Sequence, residues 1–495
     1  MSQPRSTAPE GGSVELMRLA WPFIVANSVW MLQLLFDRVM LSRYGTNEVG
    51  AAMASGILFW VPLSLFQGTA GYVTTFVAQY VGASQLRRVG PVMWQALYFS
   101  IGSGLAFLLL IPLAPAIVGL GGHDPHLQRL EVQFLRCLAL SGLPAVITSA
   151  VCGFFAGRGS SRVVMFINVS GMVVYFVLAS LLIFGSSPLN IPALGIVGAG
   201  LASVGGTTTS AVLGLILFFR PHFEELYATR SGWRLDAALL WRLLRFGVPN
   251  GLGAALDPLI FSFFTQLVGR IGPVALAATS VTFTLNLLAI LPALGVGQAV
   301  EVLVGQRLGE NRSSVAARSA WTALRLDLAY TAVMAVAFLT VPGPLVALFG
   351  GEGSGDAERQ QVAELVPILL RFVTVYALFD TMNVVFSFAL RGAGDTRFVT
   401  LVAVVFSGPV MVLPTWWSVM KVSAEQEWMP NARLYLCWTF ASAYVILLAL
   451  TFLFRFVQGR WRSMRVIEHA GVPEANGDGH VTKAIAEPAG LFSDE

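Results

Sequence analysis

Three aspartates sit where charge is expensive: Asp37, Asp257 and Asp380 each interrupt a run apolar enough to cross a bilayer. An aspartate at the centre of a membrane helix costs about 2.5–3.5 kcal/mol even on the lenient insertion scale, so such residues face polar cavities or ion paths. Asp380 lies in FVTVYALFDTMNVVFSFALRGAGDTR, with no basic residue within a helical turn to pair with it. Its chemistry is to bind a cation or to hold a proton. Asp257 poses the same problem in VPNGLGAALDP. Asp37, in LLFDRVMLSRYG, is followed by Arg38 and Arg43, whose long side chains can snorkel to the interface. Glu301, in VGQAVEVLVGQRLGE, is expected to pair with Arg307.

The elements that hold these groups follow from composition. Of 495 residues, 56% are hydrophobic and 12% charged, against roughly 25% charged in soluble domains. The chain therefore reads as an all-α integral membrane protein. About twelve segments reach the ~20 apolar residues a span needs. They fall near 17–42, 51–81, 91–119, 133–157, 163–185, 194–219, 246–270, 277–307, 322–349, 367–391, 397–420 and 433–457. Gly68, Gly71, Pro292, Gly295 and Gly297 are expected bend points.

The arginines concentrate in alternate connectors, on the side shared by both termini, which places that side in the cytoplasm. The net charge of +4 reports this orientation and no nucleic-acid surface. The polar start precedes a run too long for a signal-peptide core, so no cleavage is expected. Only Lys421 and Lys483 are lysines, which excludes the Gly-Lys-Ser/Thr of a phosphate-binding loop and with it ATP hydrolysis. Cys137, Cys152 and Cys437 imply no disulfide framework, and no His/Cys cluster implies a metal. No catalytic constellation appears, so the chain is not expected to be an enzyme, to need a cofactor or to require an ATPase subunit.

The chain repeats itself at an offset of about 227: Pro22 with Pro249, Gly45 with Gly272, Gln79 with Gln306, Gly82 with Gly309, Trp94 with Trp321. A slightly larger offset aligns GRGSSR from Gly157 with GAGDTR from Gly392. Six helices per half is an even number, so the repeat is parallel. The expected organisation is a cytoplasmic tail over 1–16, a six-helix lobe over 17–219, a linker over 220–245, a second lobe over 246–457 and a cytoplasmic tail over 458–495, largely disordered. Two lobes around a central cleft suit alternating access. Trp94 and Trp321 read as interfacial anchors, while Phe59, Trp60, Phe66, Phe261, Phe263, Phe264 and Phe283 could line an apolar cavity.

These motifs, with FVAQYVGA, LGIVGAGLAS and LVGQRLGE, occur in an order and duplication that resemble the multidrug and toxic compound extrusion (MATE) family, bacterial cation-coupled branch, over about residues 15–458. The resemblance implies two six-helix lobes and efflux of organic, often cationic, molecules by antiport with H⁺ or Na⁺. It implies that Asp37, Asp257 and Asp380 bind or titrate the coupling ion, with Tyr376 one turn before Asp380. The fifth helix lacks the Asn or Asp such proteins carry near its closing Gly; the nearest amide is Asn168. A complete cation site is therefore expected in the C-terminal lobe.

Asp257 and Asp380 come from two helices of one half, and a packed bundle can bring them to one cavity. Na⁺ would draw on Asp257, Asp380 and the Tyr376 hydroxyl; a proton needs one carboxylate. Asn383 and Asn286 are accessory polar candidates. The expected partners are a small-molecule substrate and the lipid bilayer, and a monomer suffices. The alternatives are a flippase for lipid-linked glycans or other amphiphiles, whose cleft would carry bases such as Arg38, Arg270 and Arg371, and a non-transport scaffold.

Overall fold

In lipid a backbone can satisfy its polar groups only internally, so apolar runs of this length become helices. The computed structural model describes residues 10–185, 192–347, 356–421 and 430–468. Among them are twelve helices long and apolar enough to span a membrane: α1 Ser13–Tyr44, α2 Asn47–Gly82, α3 Leu86–Gly119, α4 Pro125–Gly157, α5 Ser161–Phe184, α6 Ile196–Phe218, α7 Ala237–Gly269, α8 Pro273–Gly309, α9 Ser313–Thr340, α10 Glu358–Ala393, α11 Thr396–Lys421 and α12 Ala432–Gln458. Of the tail expected over 458–495, residues 469–495 fall outside the described residues.

The helices outrun the hydropathy signal where their ends are polar. α7 begins at Ala237 and not near 246, because Asp236 caps it, accepting from the Ala238 and Leu239 amides at 3.0 Å. The helix of α10 extends back to Asp356, well before the expected 367, with Glu358 and Arg359 near its start. α9 stops at Thr340, and Pro342–Ala347 forms a separate short helix instead of completing one span to 349. α11 holds a π-helical stretch, Ser407–Val412, around Pro409, which has no N–H to give the ladder. α2 is interrupted at Tyr72, beside the expected bend at Gly71, whereas α8 runs through Pro292, Gly295 and Gly297 as one helix.

The two halves pack alike. In the N-terminal bundle α4 lies against α2, α3 and α6, and α5 against α1 and α6; in the C-terminal bundle α10 lies against α8, α9 and α12, and α11 against α7 and α12. The bundles meet through α2 on α7, α1 on α8 and α2 on α8. An even number of crossings puts the start of α1 and the end of α12 on one side, called here the entry side.

The seam between bundles obeys the sequence repeat. Gln79 donates to the Gly392 carbonyl at 3.1 Å, and its equivalent Gln306 donates to the Gly157 carbonyl at 2.8 Å. A methyl group on Gly82 would stand 2.0 Å from the Gln306 oxygen, and one on Gly309 would stand 2.2 Å from the Gln79 oxygen. Deeper in, Gly68 meets the backbone of Gly251 and Gly295 meets the backbone of Ile24. These pairs are again related by the offset of 227. Gly68 and Gly295 are thus notches for close approach between bundles. Each lies 14 residues, or about 20 Å, from the entry-side end of its helix. Among the described residues, the hydrogen bonds, ion pairs and ring contacts joining the bundles all lie between this level and the entry side.

A strap closes the same side. After α12, Trp461 stacks on Phe456 with ring centroids 4.7 Å apart, and the Val466 amide donates to Gln79 Oε1 at 2.8 Å. Glu468 pairs with Arg88 of the N-terminal half and Arg242 of the C-terminal half, and accepts from the Tyr80 hydroxyl. The linker is docked as well: Trp94 donates its indole N–H to the Thr229 carbonyl at 2.7 Å.

Candidate functional site

Asp380 lies 13 residues from the entry-side end of α10, about 20 Å into the span. The C-terminal bundle closes around it. Asn383, one turn on, donates to Asp380 Oδ1 at 3.1 Å. Asn286 of α8, Thr331 and Phe338 of α9, and Ala377 and Thr381 of α10 line the same cavity. It has room for about one or two water molecules and none for a drug-sized compound. A carboxylate and the Asn286 amide in a space of that size, with Asn383 bonded to the carboxylate, can hold a hydrated proton path or a small cation. Among the described residues no ion pair reaches Asp380.

Tyr376, one turn before Asp380, is 5% exposed and within electrostatic reach of it. Asp257 on α7 is exposed, six residues beyond the Gly251 notch, and its charge is felt by Asp380. The structure thus brings Asp257, Asp380, Tyr376, Asn383 and Asn286 into one region of one bundle.

Asp37 is elsewhere. It is half-buried on α1, and its Oδ1 is buried without a hydrogen-bond partner. Asn168 does not serve it: the amide donates to the Val164 carbonyl at 2.9 Å in its own helix and contacts Cys152 Sγ. On α5 the nearest polar feature toward α1 is Tyr175, whose ring packs against Phe36 and whose hydroxyl is buried and unpartnered.

Several groups escaped the sequence reading. Tyr444 of α12, 2% exposed, is within reach of both Asp257 and Asp380. Arg391 reads from sequence as a connector charge, yet its guanidinium lies near Gly253 and Phe388 and interacts with Asp257 and Glu301. Its carbonyl accepts from the Tyr72 hydroxyl across the seam at 2.8 Å. Glu301 does not pair with Arg307. It accepts from Thr75 of the opposite bundle at 2.9 Å, while Arg307 pairs with Glu15 at 2.6 Å and Glu310 at 2.9 Å. Periodicity could have found Arg391, two residues from the end of a helix whose buried face it continues.

The aromatic candidates are mostly core. Phe59 and Phe66 pack on Phe107, while Phe261, Phe264, Phe283 and Trp438 form a cluster inside the C-terminal bundle. Trp321 packs on Phe386 and Phe456. Arg38, Arg270 and Arg371 are exposed, and none of them borders the Asp380 cavity.

Known proteins share this family sequence and this fold. The MatE family model matches residues 22–181 and 249–417, two copies whose starts differ by the repeat offset. The chain is 28% identical over 409 residues to the probable multidrug resistance protein NorM of Bradyrhizobium diazoefficiens, covering 80% of this chain and 85% of that protein. It is 26% identical over 419 residues to multidrug resistance protein PmpM of Pseudomonas aeruginosa, covering 83% and 85%. In fold it resembles the crystal structure of MATE in complex with MaL6, with a TM-score of 0.80 at 18% identity over 90% of this chain and 95% of that one. An outward-facing multidrug resistance MATE transporter gives a TM-score of 0.79 at 19% identity over the same shares. With two family domains covering most of its length and twelve spans in two matching bundles, the chain is a multi-pass membrane protein of the MATE family.

Proposed function

We propose that this protein exports organic, often cationic and hydrophobic, small molecules by antiport with H⁺ or Na⁺. The names of its NorM and PmpM relatives support multidrug efflux. The observation that carries the reading is the Asp380 cavity: a carboxylate deep in the span, bonded to Asn383 and sharing with Asn286 a space sized for an ion, with an exposed aspartate, Asp257, in the same bundle. Substrate then belongs in the cleft between bundles, and the coupling ion in the C-terminal bundle.

Asp380 and Asp257 repel when both are ionised, so a proton or Na⁺ arriving from outside lowers the cost of holding them together. Tyr376, Asn383 and Asn286 supply the remaining oxygens for Na⁺, or steer a proton to one carboxyl. Release of the ion toward the entry side restores the repulsion. With the termini in the cytoplasm, as the arginine bias places them, the closed seam is the cytoplasmic gate. One charge crossing 100 mV releases about 2.3 kcal/mol and one pH unit adds about 1.4, enough for a substrate gradient of a few hundred-fold.

The test is ethidium efflux from proteoliposomes under imposed H⁺ or Na⁺ gradients. One gradient should drive efflux in the wild type, and Asp380→Asn should abolish it with normal incorporation. Wild-type protein that moves ethidium under neither gradient, yet scrambles amphiphiles, would overturn the reading.

A further inference from the structure

Asp327 of α9 is a buried acid that the scheme above leaves unused. It lies 14 residues from Ser313 and 13 from Thr340, at the middle of the span, and is 2% exposed. Its Oδ2 is buried without a hydrogen-bond partner, and among the described residues no ion pair reaches it. Arg325, two residues earlier, is exposed, as helical geometry requires of a neighbour on the opposite face. Tyr330 is the ionisable neighbour on its own helix.

The position is connected to the ion cavity. One turn beyond Asp327, Thr331 borders the Asp380 cavity and hydrogen-bonds Thr381 of α10 at 2.7 Å. Thr381 already donates to the Ala377 carbonyl at 3.0 Å, so Thr331 is the donor between them. A bare carboxylate oxygen in this setting is strongly unfavourable without a neutralising partner, and an apolar residue of similar size would pack better. A purely structural role would supply such a partner from the protein, and the structure supplies none to Oδ2.

We propose that Asp327 is a further ion-carrying carboxylate of the C-terminal bundle, taking a proton or Na⁺ in series with Asp380 across the Thr331–Thr381 pair. The inference rests on ion-coupled export, and its test separates the two. Infrared difference spectra of the purified full-length protein, recorded on a pH step, report carboxyl groups that gain or lose protons. Isotopic Na⁺ binding reports the alternative ion.

In Asp327→Asn one carboxyl band, or one bound Na⁺, disappears that persists in Asp380→Asn. Uphill ethidium efflux from proteoliposomes falls roughly tenfold, within the range of coupling energies, while downhill ethidium exchange stays within about twofold. Spectra and Na⁺ binding of Asp327→Asn that superpose on wild type, or full uphill efflux by Asp327→Leu, overturn the proposal. If Asp327→Leu does not fold, the isosteric Asn variant decides alone. A band or Na⁺ assigned to Asp327 in a wild type that shows no ion-driven efflux sustains the site and sinks coupled export.

Discussion

The N-terminal and C-terminal bundles share one packing scheme and diverge in what they bury. Across the seam they are near-copies: Gln79 with Gln306, Gly82 with Gly309, Gly68 with Gly295 play exchanged roles at matching distances. Inside the span they are not. The C-terminal bundle carries Asp257, Asp327, Asp380, Asn286 and Asn383, while in the N-terminal one Asp37 Oδ1 is buried without a hydrogen-bond partner among the described residues. A gate that closes two lobes has to be served by both, so the repeat is kept there. An ion site needs only one lobe, so the other copy is free to lose it.

The sharpest break of this comparison pits Asp380→Asn against Asp37→Asn. The first should lower gradient-driven efflux roughly 100-fold, the upper part of the coupling range, and the second less than about threefold. Equal losses in the proteoliposome assay would mean that the N-terminal bundle carries ions too. Asp257→Asn should fall between, near tenfold, because Asp257 is exposed and partly offset by Arg391.

The seam should behave in the opposite way, with no favoured lobe. Gly82→Ala and Gly309→Ala each force a methyl onto a backbone oxygen, costing the closed seam about 1–3 kcal/mol by overpacking. Both should increase thiol labelling, from the entry side, of a cysteine placed at Ala78 in a protein lacking Cys137, Cys152 and Cys437, and to similar extents. A large effect of one and none of the other would refute the exchange symmetry.

The smallest effect concerns the linker. Glu224, half-buried, accepts from the Ser231 side chain and from the Arg230 and Ser231 amides, and these hydrogen bonds hold its carboxyl below the ordinary glutamate range. A depressed value in the folded state stabilises the docked linker at neutral pH, and that contribution fades as pH drops below the ordinary value of about 4.3. Proteolysis within the linker should therefore rise on acidification, and Glu224→Gln should show the same rise at neutral pH.

Hydropathy located the spans because lipid imposes it directly, but it stopped short wherever a helix left the membrane, as at Ala237 and Glu358. Asp380 was legible because its helical neighbours are all apolar or neutral. Asp327 was not: an expected span of 322–349 put it near one end, whereas the helix starts at Ser313 and centres on it, and only the fold shows it buried. Glu301 was misassigned for a similar reason: its partner Thr75 is 226 positions away, and no local pattern announces it. The glycines at 68 and 295 were expected as bend points and not as contact points, because a notch is defined by what enters it.

Glu468 lies outside the membrane and holds an arginine from each half at once. The dwell time of the closed entry side is thereby tied to the aqueous phase. Raising ionic strength, which weakens exposed ion pairs over about 8–10 Å near physiological salt, should shorten that dwell while leaving the buried ion site untouched. A substitution at this glutamate is then a kinetic perturbation, and turnover measured on such a variant is the turnover of a loosened gate.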